Sequence, residues 1–156
     1  YILFPYTFNQ LKDKIISLLS VELLSLHSVT EILKKDSIVL REHYSVKDAL
    51  KHLLSYHLTG SVVLNADNEI VGYLSVKDLL SCVALLLTDA ERIDITSVMV
   101  KQVLSLPSST NISQALNIIL RHNLRQIPIV DSKNKYIGMI TRFDLLQFIY
   151  NQGLRV

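Results

Sequence analysis

The chain repeats itself at a constant spacing of 66 residues. Residues 29–33, Val-Thr-Glu-Ile-Leu, return at 95–99 as Ile-Thr-Ser-Val-Met, and no insertion or deletion separates the copies. Identical or similar residues stand at matching positions, namely Ala49 with Ala115, Gly72 with Gly138, Ser75 with Thr141 and Asp78 with Asp144. Two copies are too few for a solenoid. The repeat therefore predicts two similar units that pack face to face, with clefts between them.

Hydrophobic periodicity predicts the same order of elements in each copy: strand, helix, strand, strand, helix. In the first copy these elements are expected at 37–40, 46–56, 61–64, 70–74 and 76–87. In the second copy they are expected at 103–106, 112–122, 127–130, 136–140 and 142–150. A helix between the first two strands lets them run parallel, whereas a tight turn makes the following hairpin antiparallel. With a further amphipathic helix at 8–26, the pattern predicts an α+β fold, that is, mixed α/β.

Pro128 constrains the pairing of its strand. Proline has no amide hydrogen to give to a sheet ladder. The strand at 127–130 is therefore predicted to lie at a sheet edge, or to have its pairing interrupted at Pro128. Unpaired backbone at this point would let an adenine ring hydrogen-bond to main-chain groups.

The composition favours a folded protein with a substantial core. Hydrophobic residues make up 49% of the chain and charged residues 19%, which argues against disorder. The longest apolar stretch, residues 79–87, is too short to span a bilayer. The one cysteine, Cys82, excludes an internal disulfide and is typical of a reducing compartment. We therefore expect a cytoplasmic protein without a membrane span.

Charge is distributed unevenly between the two halves. Residues 1–94 carry a net charge of −3 and residues 95–156 a net charge of +5, within a total of +2. The low total and the absence of aromatic residues interleaved with basic ones argue against nucleic-acid binding. The basic second half is where we expect an anion to bind.

The recurring motif Gly-x-x-Ser/Thr-x-x-Asp ends a strand and opens a helix at 72–78 and again at 138–144. Its hydroxyl residue is typical of a helix N-cap, and the Asp three residues later is typical of the reciprocal acid in a capping box. The same groups suit a nucleotide, because a carboxylate can bridge two ribose hydroxyls and a helix start can take phosphate oxygens. The two roles are compatible, since a carboxylate has lone pairs for both.

Arginines near the second motif are candidate phosphate ligands. Arg125 precedes the proline-containing strand, Arg121 lies one helical turn earlier, and Arg142 opens the last helix. Guanidinium groups so placed can form a phosphate pocket, or they can be ordinary solvated surface. The first copy has Thr59 and Gly60 ahead of its matching strand and offers no cation there.

No catalytic or metal-binding set is recognisable in the sequence. The five histidines are scattered without metal-ligand spacing, and four glycines cannot form a phosphate-cradling loop. No pair of acids stands out as a general acid and base. We therefore expect no enzyme activity, no bound metal and no required cofactor.

The complete pattern resembles a pair of cystathionine β-synthase (CBS) motifs, known together as a Bateman module. The most specific stretch is Leu-Arg-Gln-Ile-Pro-Ile-Val-Asp at 124–131, followed by Tyr-Ile-Gly-Met-Ile-Thr-x-x-Asp-Leu-Leu at 136–146. The first copy matches nearly as well at 62–65 and 70–80, and the resemblance covers residues 28–150.

This resemblance implies two pseudo-two-fold related β-α-β-β-α CBS motifs that pack through their sheets. The first motif is expected at 28–90 and the second at 91–156, after an N-terminal helical segment at 1–27. Modules of this family commonly form homodimers, and we expect a homodimer here.

The resemblance also implies two clefts for adenosine compounds, in which the Asp holds the ribose and the Ser or Thr lies close to the phosphates. One cleft is expected to combine Asp144, Thr141, Arg125, Arg142, Gln126, Ile127 and Pro128 with Val39 of the first copy. The other is expected to combine Asp78, Ser75, Thr59 and Gly60 with Ser105 of the second copy. We expect a phosphorylated ligand in the Asp144 cleft, and an empty site or a less charged ligand in the Asp78 cleft.

These patterns predict a regulatory, non-catalytic module that binds an adenosine nucleotide such as AMP, ADP or ATP as its small-molecule partner. The alternatives are a ligand-free dimerisation or interaction scaffold, S-adenosylmethionine binding, or nucleic-acid binding. Two departures from the family favour the scaffold. Val39 has no hydroxyl where the family often has threonine, and Gln126 stands where some nucleotide sensors have arginine.

Overall fold

The computed structural model describes residues 7–152, so residues 1–6 of the predicted N-terminal segment lie outside the described residues. The helices are α1 (Phe8–Ser25), α2 (Val46–Ser55), α3 (Val76–Ser81), α4 (Val83–Thr88), α5 (Ile112–Arg121) and α6 (Arg142–Asn151). The strands are β1 (Leu40–Arg41), β2 (Gly60–Leu64), β3 (Ile70–Ser75), β4 (Leu106–Pro107), β5 (Gln126–Val130) and β6 (Tyr136–Thr141). Single 3-10 turns at Val29–Glu31 and Ile95–Ser97 open the two copies. The α+β class is confirmed.

Each copy forms a three-stranded sheet, in the order β1-β2-β3 and β4-β5-β6. In the first sheet β1 runs parallel to β2, with Leu40 opposite Val63, and β2 runs antiparallel to β3, with a register shift after Val63. In the second sheet β4 runs parallel to β5, with Leu106 opposite Ile129. The predicted parallel pair across the helix is therefore present in both copies.

The strands β1 and β4 are shorter than predicted. Ladder pairing begins at Leu40 and at Leu106, so the predictions of strands from residues 37 and 103 are wrong at their starts. In the first copy the Ser61 hydroxyl donates to the carbonyl of Ile38 over 2.7 Å. The Ile38 carbonyl thus accepts from a side chain instead of from the amide of a neighbouring strand. The periodicity of apolar residues does not reveal such a long-range contact.

Pro128 lies in the central strand of its sheet, so the prediction of an edge strand is wrong. The alternative, a pairing that Pro128 interrupts, stays a prediction. The registered pairs between β4 and β5 join Leu106 to Ile129 and Pro107 to Val130, and they stop before Pro128. The pairs between β1 and β2 stop at the matching position, before Val62, so the missing amide hydrogen of proline does not account for the stop.

The helix predicted at 76–87 is broken at Cys82. Its backbone leaves the helical region, with φ −108° and ψ 26°, and its amide donates to the carbonyl of Leu79 over 3.0 Å. This i to i−3 bond tightens the last turn and ends the α-helical ladder. The apolar periodicity continues through the break, which is why the sequence predicts one helix where α3 and α4 form.

Contacts divide the chain into two compact units, and neither unit coincides with one copy of the repeat. The helical unit consists of residues 7–33, 108–126 and 140–152 and contains α1, α5 and α6. The sheet unit consists of residues 34–107 and 127–139 and contains α2 to α4 with most of the strands. The motif boundaries at 28–90 and 91–156 stay a prediction.

Reciprocal backbone pairs join the two copies inside each unit. In the helical unit Ser28 pairs with Asn111. In the sheet unit Ser45 pairs with Asp94, which is the same pair with the roles of the copies exchanged. An exchange of this kind is the mark of a two-fold relation. The predicted pseudo-two-fold pairing of the copies is therefore present at these contacts.

The core of the sheet unit lies on both faces of the first sheet. One buried cluster packs α2 and α3 on the sheet and consists of Leu40, Val46, Ala49, Leu53, Val63, Leu74, Leu79 and Ile95. On the opposite face Val62 and Leu64 of β2 pack against Met139 of β6, which joins the two sheets. In the helical unit α5 packs against α1 and α6.

Candidate functional site

The motif of the second copy lies where β6 ends and α6 begins. Thr141 has extended backbone angles and caps α6, because its hydroxyl oxygen accepts a hydrogen bond from the amide of Asp144 over 3.1 Å. In return, Asp144 Oδ2 accepts from the Thr141 amide over 2.8 Å and from its hydroxyl over 2.7 Å. The predicted capping box is present. Asp144 is 7% exposed, so this carboxylate is unusually well covered for an acid.

The motif of the first copy has the same geometry at the start of α3. Ser75 caps the helix, and Asp78 Oδ2 accepts from the Ser75 amide over 2.9 Å and from its hydroxyl. Asp78 is only half buried. Its second oxygen, Oδ1, has no hydrogen-bond partner among residues 7–152.

The glycine of the motif is required by a close approach. A Cβ atom at Gly72 would overlap the sulfur of Met99, which lies across the strand at this point. Any side chain here would push Met99 away from β3.

The capping bonds limit how either carboxylate can bind a ribose. A carboxylate oxygen has two lone pairs, and in both copies Oδ2 already accepts two hydrogen bonds from the cap residue. At Asp78 a diol must therefore use Oδ1, or replace the hydroxyl of the cap.

The three arginines near Asp144 have different environments. The guanidinium of Arg142 donates from Nε to the carbonyl of Leu124 and from Nη2 to Asn123 Oδ1 over 2.7 Å. Arg125 and Arg121 are exposed, and neither guanidinium has a hydrogen bond or ion pair within residues 7–152. The predicted phosphate pocket thus contains one arginine bound to a loop and two that face solvent.

The two units divide the predicted ligand-binding residues. The helical unit contains Asp144, Thr141, Arg142, Arg125 and Gln126. The sheet unit contains Asp78, Ser75, Thr59, Gly60, Ser105, Val39, Ile127 and Pro128. Ligand binding by either set stays a prediction.

Several of these residues lie in places that the sequence did not indicate. Val39 precedes β1 and packs, half buried, against the cluster of Val62, Leu64 and Met139. Ser105 is half buried and precedes β4. The prediction that both lie on the first strand of their copy is therefore wrong, because those strands begin one residue later.

Gly60 is covered by a tyrosine. A Cβ atom at Gly60 would lie 2.6 Å from Tyr73 Oη and 2.9 Å from its ring. The matching residues of the second copy are Gln126 and Met139. Both positions therefore differ between the copies. The first copy has Gly60 with Tyr73, and the second has Gln126 with Met139.

Sequence reasoning missed Asn123, which contacts Arg142. Asn123 follows the C-cap of α5, His122, and has the left-handed conformation, with φ 52°, a conformation that asparagine tolerates. The signal was available, because an asparagine that follows a helical run is typical of this position. The hydrogen bond between Asn123 and Arg142 could not be predicted from a local sequence pattern, because the two residues are distant in sequence.

Within residues 7–152, no group of three or more His, Cys, Asp or Glu side chains is arranged to hold a metal ion. Over the same residues no helix has the length and apolar character that crossing a bilayer requires.

Comparisons with known proteins agree with this fold. The family profile of the CBS domain matches twice, at residues 29–85 and 94–151. The plant CBS-pair protein CBSX2 of Arabidopsis thaliana, solved in complex with AMP, is 26% identical with a TM-score of 0.71, over 81% of this chain and 98% of that one. The CBS domain pair of protein MJ0100, in complex with 5-methylthioadenosine and S-adenosyl-L-methionine, is 19% identical with a TM-score of 0.65, over 78% and 98%.

Among curated relatives, the A-adding tRNA nucleotidyltransferase of Aquifex aeolicus is 29% identical over 121 residues. The match covers 78% of this chain but 14% of that enzyme, so the chain spans a small part of its length. Since the CBS profile covers most of the chain in two tandem matches, the protein belongs to the CBS domain family, as a tandem CBS pair. CBS pairs are in general regulatory modules rather than catalytic ones.

Proposed function

We propose that the chain is a regulatory module that binds an adenosine nucleotide of the AMP, ADP or ATP type. The observation that carries the proposal is the group at the start of α6. Here a covered carboxylate, Asp144, a capping hydroxyl, Thr141, and an exposed guanidinium, Arg125, belong to one compact unit. These groups suit the ribose and phosphate of one ligand.

The chemistry of the group supports a sugar phosphate. Asp144 would accept hydrogen bonds from the ribose hydroxyls, and the dipole of α6 favours a phosphate near the start of this helix. Arg125 would supply the counter-charge. The AMP in the complex of CBSX2, a relative that spans the same fold, supports an adenosine compound as the ligand class.

The group around Asp78 supports a weaker or less charged ligand. Its surroundings hold Ser75, Thr59 and Gly60, and no arginine stands at the positions that match Arg125 and Arg142. S-adenosylmethionine is the second candidate ligand, because the MJ0100 domain pair carries it and its sulfonium needs no cationic partner.

In the cell, the module would act by changing the state of an attached domain or a partner protein, in the cytoplasm and as a homodimer. Such regulation requires the ligand to bind one conformation better than another. Catalysis would belong to whatever domain the module regulates.

A thermal-shift panel tests the proposal. The protein would be melted with AMP, ADP, ATP, S-adenosylmethionine and a short RNA. A ligand at 100 times its dissociation constant adds about 2.7 kcal/mol of stability, which corresponds to a rise of roughly 5–10 °C for a chain of this size. We expect at least one adenosine nucleotide to produce this rise.

Two variants show whether the rise comes from the proposed group. Asp144→Asn keeps an oxygen for the cap but loses the charge, and we expect it to abolish the rise. Asp48→Asn is the matched control, because Asp48 makes the same capping bonds to Ser45 at the start of α2, and it should keep the rise. A folded protein that responds to no adenosine compound would favour the scaffold, and a salt-sensitive response to RNA alone would favour nucleic-acid binding.

A further inference from the structure

The pairing of β2 with β3 places a tyrosine and the cap residue of α3 on one face of the first sheet. Ser75, the cap, lies opposite Gly60 in the register of the two strands. Tyr73 lies opposite Val62, on the face where Val62 packs against Met139. Side chains alternate between the two faces of a strand. Tyr73 and Ser75 therefore share this face.

The ring of Tyr73 lies over the backbone of Gly60. A Cβ atom at Gly60 would be 2.6 Å from Tyr73 Oη and 2.9 Å from Cε1. Gly60 is buried although it has no side chain of its own. The Cβ positions of directly opposite residues in an antiparallel pair are about 4.5–5.5 Å apart. The phenol end of Tyr73 therefore lies beside Ser75, at the start of α3.

Main-chain hydrogen bonds hold Tyr73 in this position. Its amide donates to the carbonyl of Val100 over 2.8 Å, and the amide of Val100 donates to the carbonyl of Tyr73 over 2.9 Å. On the other side of the strand, Tyr73 is in register with Val62. Because the backbone is paired on both sides, the ring can leave Gly60 only by rotation of its side chain into another rotamer.

We propose that Tyr73 is a gate that closes the Asp78 group to ligands, so that the chain binds one adenosine compound and not two. A glycine in a strand allows a ligand to approach the backbone closely, and Gly60 is the residue opposite the cap of Asp78. A planar base placed there needs the surface that the ring of Tyr73 already covers. The proposal rests on the proposed function and deepens it, because it names the group that stays empty and the residue that closes it.

The second copy has no ring at the matching position. Met139 replaces Tyr73 there, and its unbranched thioether side chain packs against Val62 and Leu64. Methionine has three rotatable bonds and adapts to irregular surroundings, whereas the ring of tyrosine is rigid and planar. The two copies therefore differ in a bulky side chain as well as in charge.

Isothermal titration of the full chain counts the sites. The probes are adenosine, AMP and S-adenosylmethionine, and we expect one site in each wild-type chain. Tyr73→Met, which copies the second repeat, removes the ring and should raise the count to two for at least one probe. Adding Asp78→Asn to Tyr73→Met should return the count to one. Tyr73→Phe keeps the ring and should leave the count at one.

Tyr136→Ile is the matched control for the loss of a tyrosine. Tyr136 packs, half buried, on the same cluster as Tyr73, and isoleucine copies Ile70 of the first repeat. This variant should leave the count at one. The melting temperature of every variant is measured beside the titration, to show that the binding protein is folded.

The wild-type protein offers a second measurement that needs no substitution. In the 15N-labelled chain, none of the probes should produce a saturable shift of the Gly60 amide. A saturable shift at Gly60 as large as the one at Thr141 would overturn the gate, even if Tyr73→Met did not fold.

The titrations separate the gate from the proposed function. A second site in the wild-type chain that Asp78→Asn removes overturns the gate, and so does a count of one in folded Tyr73→Met. A count of two in Tyr73→Phe or Tyr136→Ile also overturns it. A wild-type chain without binding, whose Tyr73→Met variant gains one site that Asp78→Asn removes, supports the gate and overturns binding at the start of α6. If neither chain binds any probe, both proposals are wrong.

Discussion

The start of α3 and the start of α6 are two versions of one structure. Both have a hydroxyl cap residue that donates two hydrogen bonds, from its amide and its hydroxyl, to the partner acid, Asp78 or Asp144. They differ in what surrounds the cap: Asp144 is buried beside arginines, whereas Asp78 is half buried beside Thr59 and Val76. Both copies have the capping box, which the fold needs to start the helix. Only the second copy has arginines near the cap, and the fold does not need their charge.

A wider comparison of the copies leads to the same conclusion. The buried apolar residues of the helices recur, since Val46, Leu53 and Leu79 are buried and so are their counterparts, Ile112, Ile119 and Leu145. Exposed positions beside the helix starts differ in charge, since Thr59 and Val76 of the first copy correspond to Arg125 and Arg142 of the second. Differences of this kind alter ligand choice without altering architecture, which is why a duplicated fold can hold two unlike sites.

The largest expected effect tests the equivalence of the two cores. Leu53 and Ile119 occupy matching positions and are 1% and 0% exposed. Replacing either with alanine removes buried methyl groups and should cost about 2–5 kcal/mol in the free energy of unfolding, measured with denaturant. The exposed neighbours provide the control, since Leu54→Ala and Leu120→Ala should each change stability by about 0.5 kcal/mol or less. If Leu53→Ala or Ile119→Ala lost no more stability than the exposed variant beside it, the cores of the two copies would not be equivalent.

A second prediction concerns Gly60 and Tyr73, which contact each other and which both differ from their counterparts in the second copy. Gly60→Ala should cost about 1–3 kcal/mol because the new Cβ overpacks against Tyr73. Tyr73→Met, which copies Met139, removes the ring and should restore part of the loss when combined with Gly60→Ala. The double-mutant cycle measures this coupling. Additive losses would mean that the ring is not what excludes a side chain at position 60.

The capping hydroxyls should contribute smaller amounts. Thr141→Ala and Ser75→Ala each remove an N-cap and should cost about 0.5–2 kcal/mol, measured by thermal or chemical unfolding. Thr141→Ser keeps the hydroxyl and should retain most of the stability. A serine variant as unstable as the alanine variant would assign the effect to the methyl group rather than to the cap.

Much of the fold follows from the sequence because its signals are local. Alternating apolar residues and capping spacings predicted the helices and strands, and the 66-residue repeat predicted the paired copies. The starts of β1 and β4 and the break at Cys82 were not predicted, because they depend on long-range contacts such as the Ser61 hydroxyl or on backbone angles that periodicity does not encode.

The candidate site was predictable only in part, for the same reason. The capping geometry of Asp144 is local and was predicted. The binding of Arg142 to Asn123, which sets Arg125 apart, joins residues on different elements. A single sequence gives the identities of the three arginines but not which of them is already bound.

The smallest effect is expected where the copies differ in an exposed ion pair. Glu31 pairs with His27 over 2.8 Å, whereas the matching residues of the second copy are Ser97 and Ile93. The hydrogen bond from His27, followed by that from the Ser28 amide, lowers the pKa of Glu31 below its ordinary value of 4.5. Its stabilisation is therefore present above that value and is lost as the pH falls through the lowered pKa.

Melting temperature against pH measures this contribution. Glu31→Gln should lower the melting temperature slightly near neutral pH and should reduce its fall at acid pH. Asp36→Asn is the control, because Asp36 is an exposed acid without a hydrogen-bond partner within residues 7–152. If the melting temperatures of Glu31→Gln and Asp36→Asn depended on pH in the same way, the ion pair between Glu31 and His27 would contribute no stability.

The central claim is that the start of α6 binds an adenosine nucleotide, and the most direct measurement is an AMP titration of the 15N-labelled protein followed by NMR. The account predicts that the largest saturable amide shifts occur at Thr141, Arg142 and Asp144, with Arg125 among the perturbed residues. Shifts confined to other parts of the chain, or no saturable shift at all, would contradict it.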